Sequence, residues 1–221
     1  MTDMPRTYNR PRTRPSNSRL GIDMLARDVT VVIKHTPGFQ SRTQKLVNLL
    51  HSIRRNHGDE LAILVATEGI DDEPFNPTTH EQLQRNHLVS KFIVLPRGSG
   101  LSAGRNALLH AVQTPFAALM DDDLLLLDNS SLPTLHAALV AEPLAAVAGG
   151  CHQDLKRGAL DCFNMRFDHS DNGRVVTTRR ARTRASSSHG CARVHVTHNF
   201  FVGRVATVSY THLTLPTICS V

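Results

Sequence analysis

Short apolar runs alternate with amphipathic segments through the middle of the chain. Each run is rich in Val, Ile, Leu or Phe, which predicts a buried strand. The predicted strands cover residues 29–35, 61–66, 91–96, 115–120 and 145–151. The segments between them predict helices at residues 41–57, 102–112 and 131–142, and Ser41 is a candidate N-cap of the first. Strands separated by helices predict a mostly parallel central sheet in a three-layer α/β sandwich.

Three aspartates follow the fourth predicted strand, between five apolar residues and four leucines. If the strand continues into them, Asp121 and Asp123 share one face and Asp122 points away. Two carboxylates that converge raise each other's pKa unless a cation lies between them, so the pair is a candidate site for a hard divalent metal. A solvated acidic turn is the alternative, but the apolar residues on both sides favour a site.

A glycine-rich segment precedes that strand. Gly98, Gly100 and Gly104 fit the pattern GxGxxxG, one residue longer than the dinucleotide fingerprint, and they follow the third strand instead of the first. The pattern GxxxxGK[ST] is absent from the sequence, which disfavours a P-loop NTPase. Ser102 is predicted to cap a helix whose N-terminal N–H groups suit an anion, with Arg105 and Asn106 on its first turns.

The net charge of +6 on 221 residues comes from two polar segments. Residues 1–27 carry +4 and residues 174–184 carry +5, which leaves −3 for the rest of the chain. We predict that residues 1–27 form a disordered basic arm. The sequence shows neither a signal peptide nor a transmembrane segment, and its four cysteines lack a CxxC spacing and do not indicate a redox compartment.

The order of these features carries a resemblance to a known family. A first strand, a helix, a second strand, "GLSAGRNALL", an apolar strand, "DDD" and a later "VTHNFFVGR" together resemble a GT-A glycosyltransferase, family 2-like. The "NFF" stretch is similar to that of the β-1,4-N-acetylgalactosaminyltransferases that build ganglioside-type chains. The resemblance covers residues 29–204 and implies a GT-A, Rossmann-like fold.

The resemblance implies transfer of a sugar, expected to be an N-acetylhexosamine, from a UDP-sugar to a glycan or glycolipid acceptor by single-step inversion. It implies Mn²⁺ or Mg²⁺ as cofactor, with Asp123 as direct ligand and Asp121 near the ribose or the metal. The other residues that it implies for donor binding are Lys34, His35, Thr36, Glu68, Arg105, Asn106 and Asp122. Glu68 stands where the family usually has the aspartate that contacts uracil. Asn199, Phe200 and Phe201 would line the acceptor or donor pocket.

The end of the chain departs from the resemblance. Residues 208–221 resemble a translated sequencing-adaptor read, whereas in the relatives a general base and a late histidine follow this point. We therefore expect an incomplete GT-A domain at residues 28–207, a poorly packed non-native tail, and a chain that binds donor but transfers little sugar. The resemblance implies the Golgi lumen if a membrane anchor is missing from this chain, and otherwise a soluble cytoplasmic protein.

Several alternatives accompany this interpretation. A phosphohydrolase could use the aspartates, although it would need them after the first strand. A non-catalytic protein could bind RNA or an anionic membrane through the arginine-rich arm, for which a solvated leader is the commoner explanation. Zinc could bind His189, Cys191, His195 and His198, but their spacing fits no common finger. An acidic acceptor could be guided by Arg179, Arg180, Arg182 and Arg184.

Overall fold

The computed structural model describes residues 19–37, 40–69, 77–127, 130–154, 159–161, 165–169, 175–180, 192–194, 200–207 and 218–220. The helices are α1 (Arg19–Asp28), α2 (Gln40–His57), α3 (Pro77–Arg85), α4 (Gly100–Ala111) and α5 (Leu132–Ala141). The first strands are β1 (Val29–Lys34), β2 (Ile63–Glu68), β3 (Lys91–Leu95), β4 (Phe116–Asp121), β5 (Val147–Gly149) and β6 (His152–Asp154). They are followed by β7 (Ala159–Asp161), β8 (Met165–His169), β9 (Val175–Arg180), β10 (Ala192–Val194), β11 (Phe200–Arg204) and β12 (Ile218–Ser220).

Eight of these strands form one central sheet, in the order β10-β12-β5-β11-β4-β1-β2-β3. The pairs β4-β1, β1-β2 and β2-β3 are parallel, which confirms the mostly parallel sheet expected from the alternation of strands and helices. In the centre, Val29 faces Phe116 and Lys34 faces Asp121 across the β1-β4 pair. All six residues of β1 are buried, as expected for a strand covered by helices on both faces.

The strand β11 lies antiparallel between β4 and β5. Phe200 faces Met120 and Phe201 faces Leu119, so the first residue of β11 lies at the carboxyl end of β4. The sequence interpretation used this stretch only for a resemblance and missed the strand. Arg204 fixes the far end of β11, since its guanidinium donates to the carbonyl oxygens of Leu139 and Ala145 at 2.6 and 3.0 Å.

Apolar side chains fill the space on both faces of the sheet. On one face α2 contributes Leu46, Leu49, Leu50 and Ile53, which are all fully buried, as their helical spacing predicted. On the other face Leu108 and Leu109 of α4 pack with Val32 of β1. The molecule therefore has three layers, with the sheet between α2, α5 and α1 on one side and α4 on the other.

The ends of several elements differ from the sequence prediction. α1 occupies residues that we assigned to the disordered arm, and Leu25 is fully buried in the larger core, so the folded region begins before residue 28. α2 begins at Gln40 and α4 at Gly100, so neither Ser41 nor Ser102 is the N-cap. We missed α3 because its sequence is polar and only Leu83 is buried among its side chains that the structure describes.

The three residues of β12 belong to the segment that we predicted to pack poorly. They pair in parallel with β5 and antiparallel with β10, so these three residues belong to the central sheet. Residues 208–217 and 221 lie outside the described part of the chain. Within the described residues, none of the helices is long and apolar enough to cross a membrane.

Candidate functional site

The charged residues predicted for the site meet at the carboxyl edge of the sheet. The last residues of β1, β2 and β4 are Lys34, Glu68 and Asp121, and α4 begins beside them. In open α/β sheets ligands bind at this edge. The structure thus brings these predicted site residues into one region, at the ends of three neighbouring strands of the sheet.

Asp121 is paired with a buried arginine. Arg105 Nη2 of α4 lies 2.8 Å from Asp121 Oδ1. The Arg105 side chain is only 7% exposed, whereas that of Asp121 is 39% exposed. Arg105 therefore places a positive charge behind a carboxylate that still reaches solvent, and this ion pair partly neutralises the charge of Asp121.

Asp122 points into the protein instead of away from the site. Its Oδ2 lies 2.7 Å from Nδ1 of the fully buried His35 and accepts the backbone N–H of Thr36 at 3.3 Å. Burial alone would raise the pKa of Asp122, but the hydrogen bond and charge of His35 and the N–H of Thr36 lower it overall. Because β4 ends at Asp121 and a turn follows, the strand alternation that we assumed for the three aspartates does not apply.

Asp123 is the most exposed of the three carboxylates. Its side chain is 51% exposed, and the nearest ammonium is that of Lys45 at 3.9 Å, which is a surface contact. Its oxygens, with those of Asp121, are hard donors of the kind that Mn²⁺ and Mg²⁺ prefer. Within the described ranges there is no group of three or more His, Cys, Asp or Glu side chains that could hold a metal.

Glu68 binds the glycine-rich loop that precedes α4. Its Oε2 accepts the N–H of Gly98 at 3.0 Å, and its Oε1 accepts the N–H of Gly100 at 3.1 Å. The ammonium of Lys34 lies 3.1 Å from the same Oε1. Burial opposes ionisation of Glu68, yet the bonds from Lys34, Gly98 and Gly100 lower its pKa overall. The N–H groups of this loop, which lie just before the ones that we predicted to bind an anion, therefore bind a carboxylate of this chain.

The residues that follow β1 differ widely in exposure. The side chain of Lys34 is 2% exposed, and its ammonium also donates to the carbonyl oxygen of His35 at 2.9 Å. Its methylene groups lie against Gly104, where a Cβ would come within 2.3 Å of Lys34 Cδ. Thr36 is exposed. Sequence reasoning noted Gly104 only as part of the pattern GxGxxxG and missed that a buried lysine needs the space.

The remaining predicted site residues are less closely connected to the aspartates. Asn106 is half-buried on α4, one residue after Arg105. Phe200 and Phe201 are half-buried in β11 and pack against different apolar clusters, the former on the α2 side of the sheet and the latter on the α4 side. Asn199 and the four candidate zinc ligands lie outside the described residues, as do Arg182 and Arg184 of the basic cluster.

Comparison with known proteins agrees with this architecture. The sequence profile of a family described as Glycosyl transferase family 2 matches residues 39–195. The structure of S. aureus TarS residues 1–349 superposes with a TM-score of 0.50 at 13% identity, covering 88% of this chain and 58% of that chain.

Two further solved structures are similar at a lower level. The CMP:2-keto-3-deoxy-manno-octonic acid synthetase, solved with CTP, has a TM-score of 0.49 at 13% identity and covers 81% of this chain and 75% of its own. The mannosyltransferase PcManGT from Pyrobaculum calidifontis, solved with GDP-Man and Mn²⁺, has a TM-score of 0.40 at 18% identity and covers 57% of this chain and 35% of its own.

Proposed function

The chain belongs to glycosyl transferase family 2, and from this premise we propose that it transfers a sugar from a UDP-sugar to a glycan or glycolipid acceptor. Family membership makes it a glycosyltransferase that uses a nucleotide-sugar donor, and it favours sugar transfer over the phosphohydrolase alternative. The uridine nucleotide, an N-acetylhexosamine as the sugar, and inversion at the anomeric carbon belong to the proposal and rest on the sequence resemblance.

One observation supports our placement of the donor beside the aspartates that follow β4. Beyond the carboxyl end of β4, Asp123 exposes a carboxylate, while the neighbouring Asp121 is backed by the buried Arg105. A diphosphate is negatively charged, so it would need a cation between itself and these carboxylates. The pairing of Asp121 with Arg105 keeps the local charge from being wholly negative.

The donor atoms at this edge fit a hard divalent cation. Asp123 would hold Mn²⁺ or Mg²⁺ directly, with Asp121 beside it, and the bound metal would stabilise the charge of the departing nucleoside diphosphate. Arg105 orients Asp121 through their ion pair, and His35 with Thr36 holds Asp122 away from the ligand region. Inversion also requires a base that takes the proton of the acceptor hydroxyl, a role that we assign to none of the described residues.

The proposal is tested by calorimetric titration with UDP in the presence of Mn²⁺ and again with chelator. We expect binding with the metal and at least about tenfold weaker binding without it, because the cation offsets the repulsion between Asp123 and the diphosphate. The Asp123→Asn variant should lose the effect of the metal. Asp23→Asn, at an exposed position on α1, is the matched control and should behave as the unaltered protein. Equally strong binding with chelator would refute the role of Asp123.

A further inference from the structure

We infer that Glu68 is a positioning residue for the donor site, which holds the glycine loop before α4 in place and does not read the nucleobase. Glu68, Lys34, Gly98 and Gly100 together form what we call the Glu68 network. The inference rests on the proposed function, since it concerns how the same donor site is built. It also departs from the uracil contact that the resemblance implied for this position.

Both oxygens of the Glu68 carboxylate are engaged within the protein. Oε2 accepts from Gly98, and Oε1 accepts from Gly100 and from the buried ammonium of Lys34. An acceptor for a nucleobase N–H has to point toward the ligand with a vacant lone pair. These contacts use three of the roughly four lone-pair positions of an ionised carboxylate and direct it toward the loop and toward β1 instead.

The loop has a backbone shape that depends on these contacts. Gly98 and Gly100 have φ values of 78° and 79°, in the left-handed region that glycine adopts at no steric cost. A Cβ at either glycine would meet nothing within 4 Å, so the constraint there is the backbone conformation and not space. Ser99, the residue between them, stands at the N-cap of α4 without a side-chain bond to the helix. Glu68 thus supplies the acceptor that this helix start does not obtain from its own N-cap.

Lys34 has contacts within the same network along its whole side chain. Its methylene groups pack against Gly104 within α4, and its ammonium bridges Glu68 and the carbonyl oxygen of His35. The end of β1, the end of β2 and the start of α4 are therefore connected through the ion pair of Lys34 with Glu68, of which only the lysine is buried. Arg105 follows Gly104 directly, so the network also sets where the arginine that pairs with Asp121 is placed.

A positioning residue and a base-reading residue predict different binding data. If Glu68 positions the loop, its replacement should raise the dissociation constant of every nucleotide by a similar factor, because the phosphate side of the site is disturbed for all of them. Removing a base acceptor should instead change the ratio of affinities between UDP and nucleotides with other bases, since only one base loses a partner.

The first measurement is amide hydrogen exchange of Gly98 and Gly100 without any nucleotide. In Glu68→Gln we expect both amides to exchange about tenfold faster, because the charged acceptor is lost. Glu68→Gln leaves the Lys34 ammonium buried without a carboxylate and can impair folding, so the double variant Lys34→Met/Glu68→Gln removes both charges together. Glu81→Gln, in an exposed pair with Arg85 on α3, is the matched control and should leave both rates unchanged. Unchanged exchange in the double variant would overturn the inference.

The second measurement is the affinity of the same variants for UDP, CDP and GDP with Mn²⁺. We expect all three dissociation constants to rise together, with their ratios constant to within about twofold. A change of more than about tenfold in the UDP to GDP ratio would make Glu68 a base-reading residue and overturn the inference. If the unaltered protein binds none of the nucleotides, the proposed function is wrong and the donor-site part of the inference falls with it, while the exchange rates still decide whether Glu68 holds the loop.

Discussion

At the scale of single residues, the aspartates at 121–123 each have a partner on a different element. Arg105 on α4 pairs with Asp121, His35 after β1 pairs with Asp122, and Lys45 on α2 lies near Asp123. Like charges on adjacent residues repel, and partners of this kind offset the repulsion. The most buried aspartate has the most buried partner and the most exposed aspartate has the most exposed partner, so the middle carboxylate contributes to stability and the last remains accessible.

This difference predicts unequal effects of two substitutions on stability. Asp122→Ala removes a buried, charge-assisted hydrogen bond to His35, and we expect it to lower the free energy of unfolding by about 1–3 kcal/mol. Asp123→Ala at the exposed position should cost less than about 0.5 kcal/mol. Urea denaturation measures both values. Because the pKa of Asp122 is lowered in the folded state, its contribution is present above pH ~4 and is lost as the pH falls through the folded-state pKa. Equal costs for the two variants would contradict the assignment of Asp122 as the structural member.

The buried His57 should make the stability of the protein depend on pH. His57, at the end of α2, is fully buried, and neither ring nitrogen has a hydrogen-bond partner among the residues that the structure describes. Burial lowers its pKa from 6.5 to about 4, so between these values the unfolded chain binds a proton that the folded chain does not. Stability should therefore fall as the pH drops from 6.5 toward 4, by up to roughly 3 kcal/mol.

The test compares denaturation at several pH values in His57→Leu and in the unaltered protein. We expect the variant to lose most of the slope between pH 6.5 and 4, whatever its stability at neutral pH. His51→Leu, at an exposed position of the same helix, is the control and should keep the slope. A slope that survives in His57→Leu would assign the pH dependence to other groups, of which the buried His136 is one.

At the scale of elements, the sequence predicted that α4 begins at Ser102 and α5 at Ser131, and the structure agrees only for α5. Ser131 is the N-cap of α5, and its hydroxyl accepts the N–H of Thr134 at 3.2 Å, as the predicted boundary implied. Ser102 lies inside α4, because the helix begins two residues earlier beside Glu68. Both boundaries were predicted from a serine, and the tertiary contact of Glu68 with Gly98 and Gly100 decided where α4 starts.

We therefore expect replacement of these two serines by alanine to change the free energy of unfolding by different amounts. Ser131→Ala should lower the free energy of unfolding by about 1 kcal/mol, because an N–H at the start of α5 loses its acceptor. Ser102→Ala, at an exposed position within the first turns of α4, should change stability by less than about 0.5 kcal/mol, since alanine favours the helix. Thermal denaturation of the two variants side by side measures the difference. A larger loss in Ser102→Ala would mean that α4 begins where the sequence placed it.

The elements that sequence reasoning found and missed differ in how they are buried. β1 and β4 were evident because they are almost wholly buried and read as continuous apolar runs. Among the side chains of α1 and α3 that the structure describes, only Leu25 and Leu83 are buried, and polar or basic residues are frequent in the sequence around them, so neither helix was evident. β11 is short and antiparallel, and no periodicity of its own separates it from a loop.

At the scale of the whole molecule, the order of the strands explains why the site could be located from sequence but its contacts could not. Parallel strands place their carboxyl ends at one edge, and this rule was sufficient to place the aspartates there. The resemblance added Lys34 and Glu68, and the structure has them at the ends of the neighbouring strands β1 and β2. Which carboxylate turned inward depended on where β4 ended, and the partner of Glu68 depended on a loop after β3. Such contacts are set by tertiary packing and have no signature in local sequence.

This arrangement predicts that donor binding stabilises the molecule as a whole. The proposed site takes residues from β1, β2, β4 and α4, which together span the centre of the sheet, so a ligand bound only to the folded state should shift the entire unfolding transition. With Mn²⁺ present and UDP at about one hundred times its dissociation constant, the gain should be about 2.7 kcal/mol. Scanning calorimetry measures the shift, and Asp123→Asn should lack it while Asp23→Asn retains it. A stabilisation of equal size in Asp123→Asn would place the nucleotide elsewhere, because binding at the proposed site requires the carboxylate that we propose as the metal ligand.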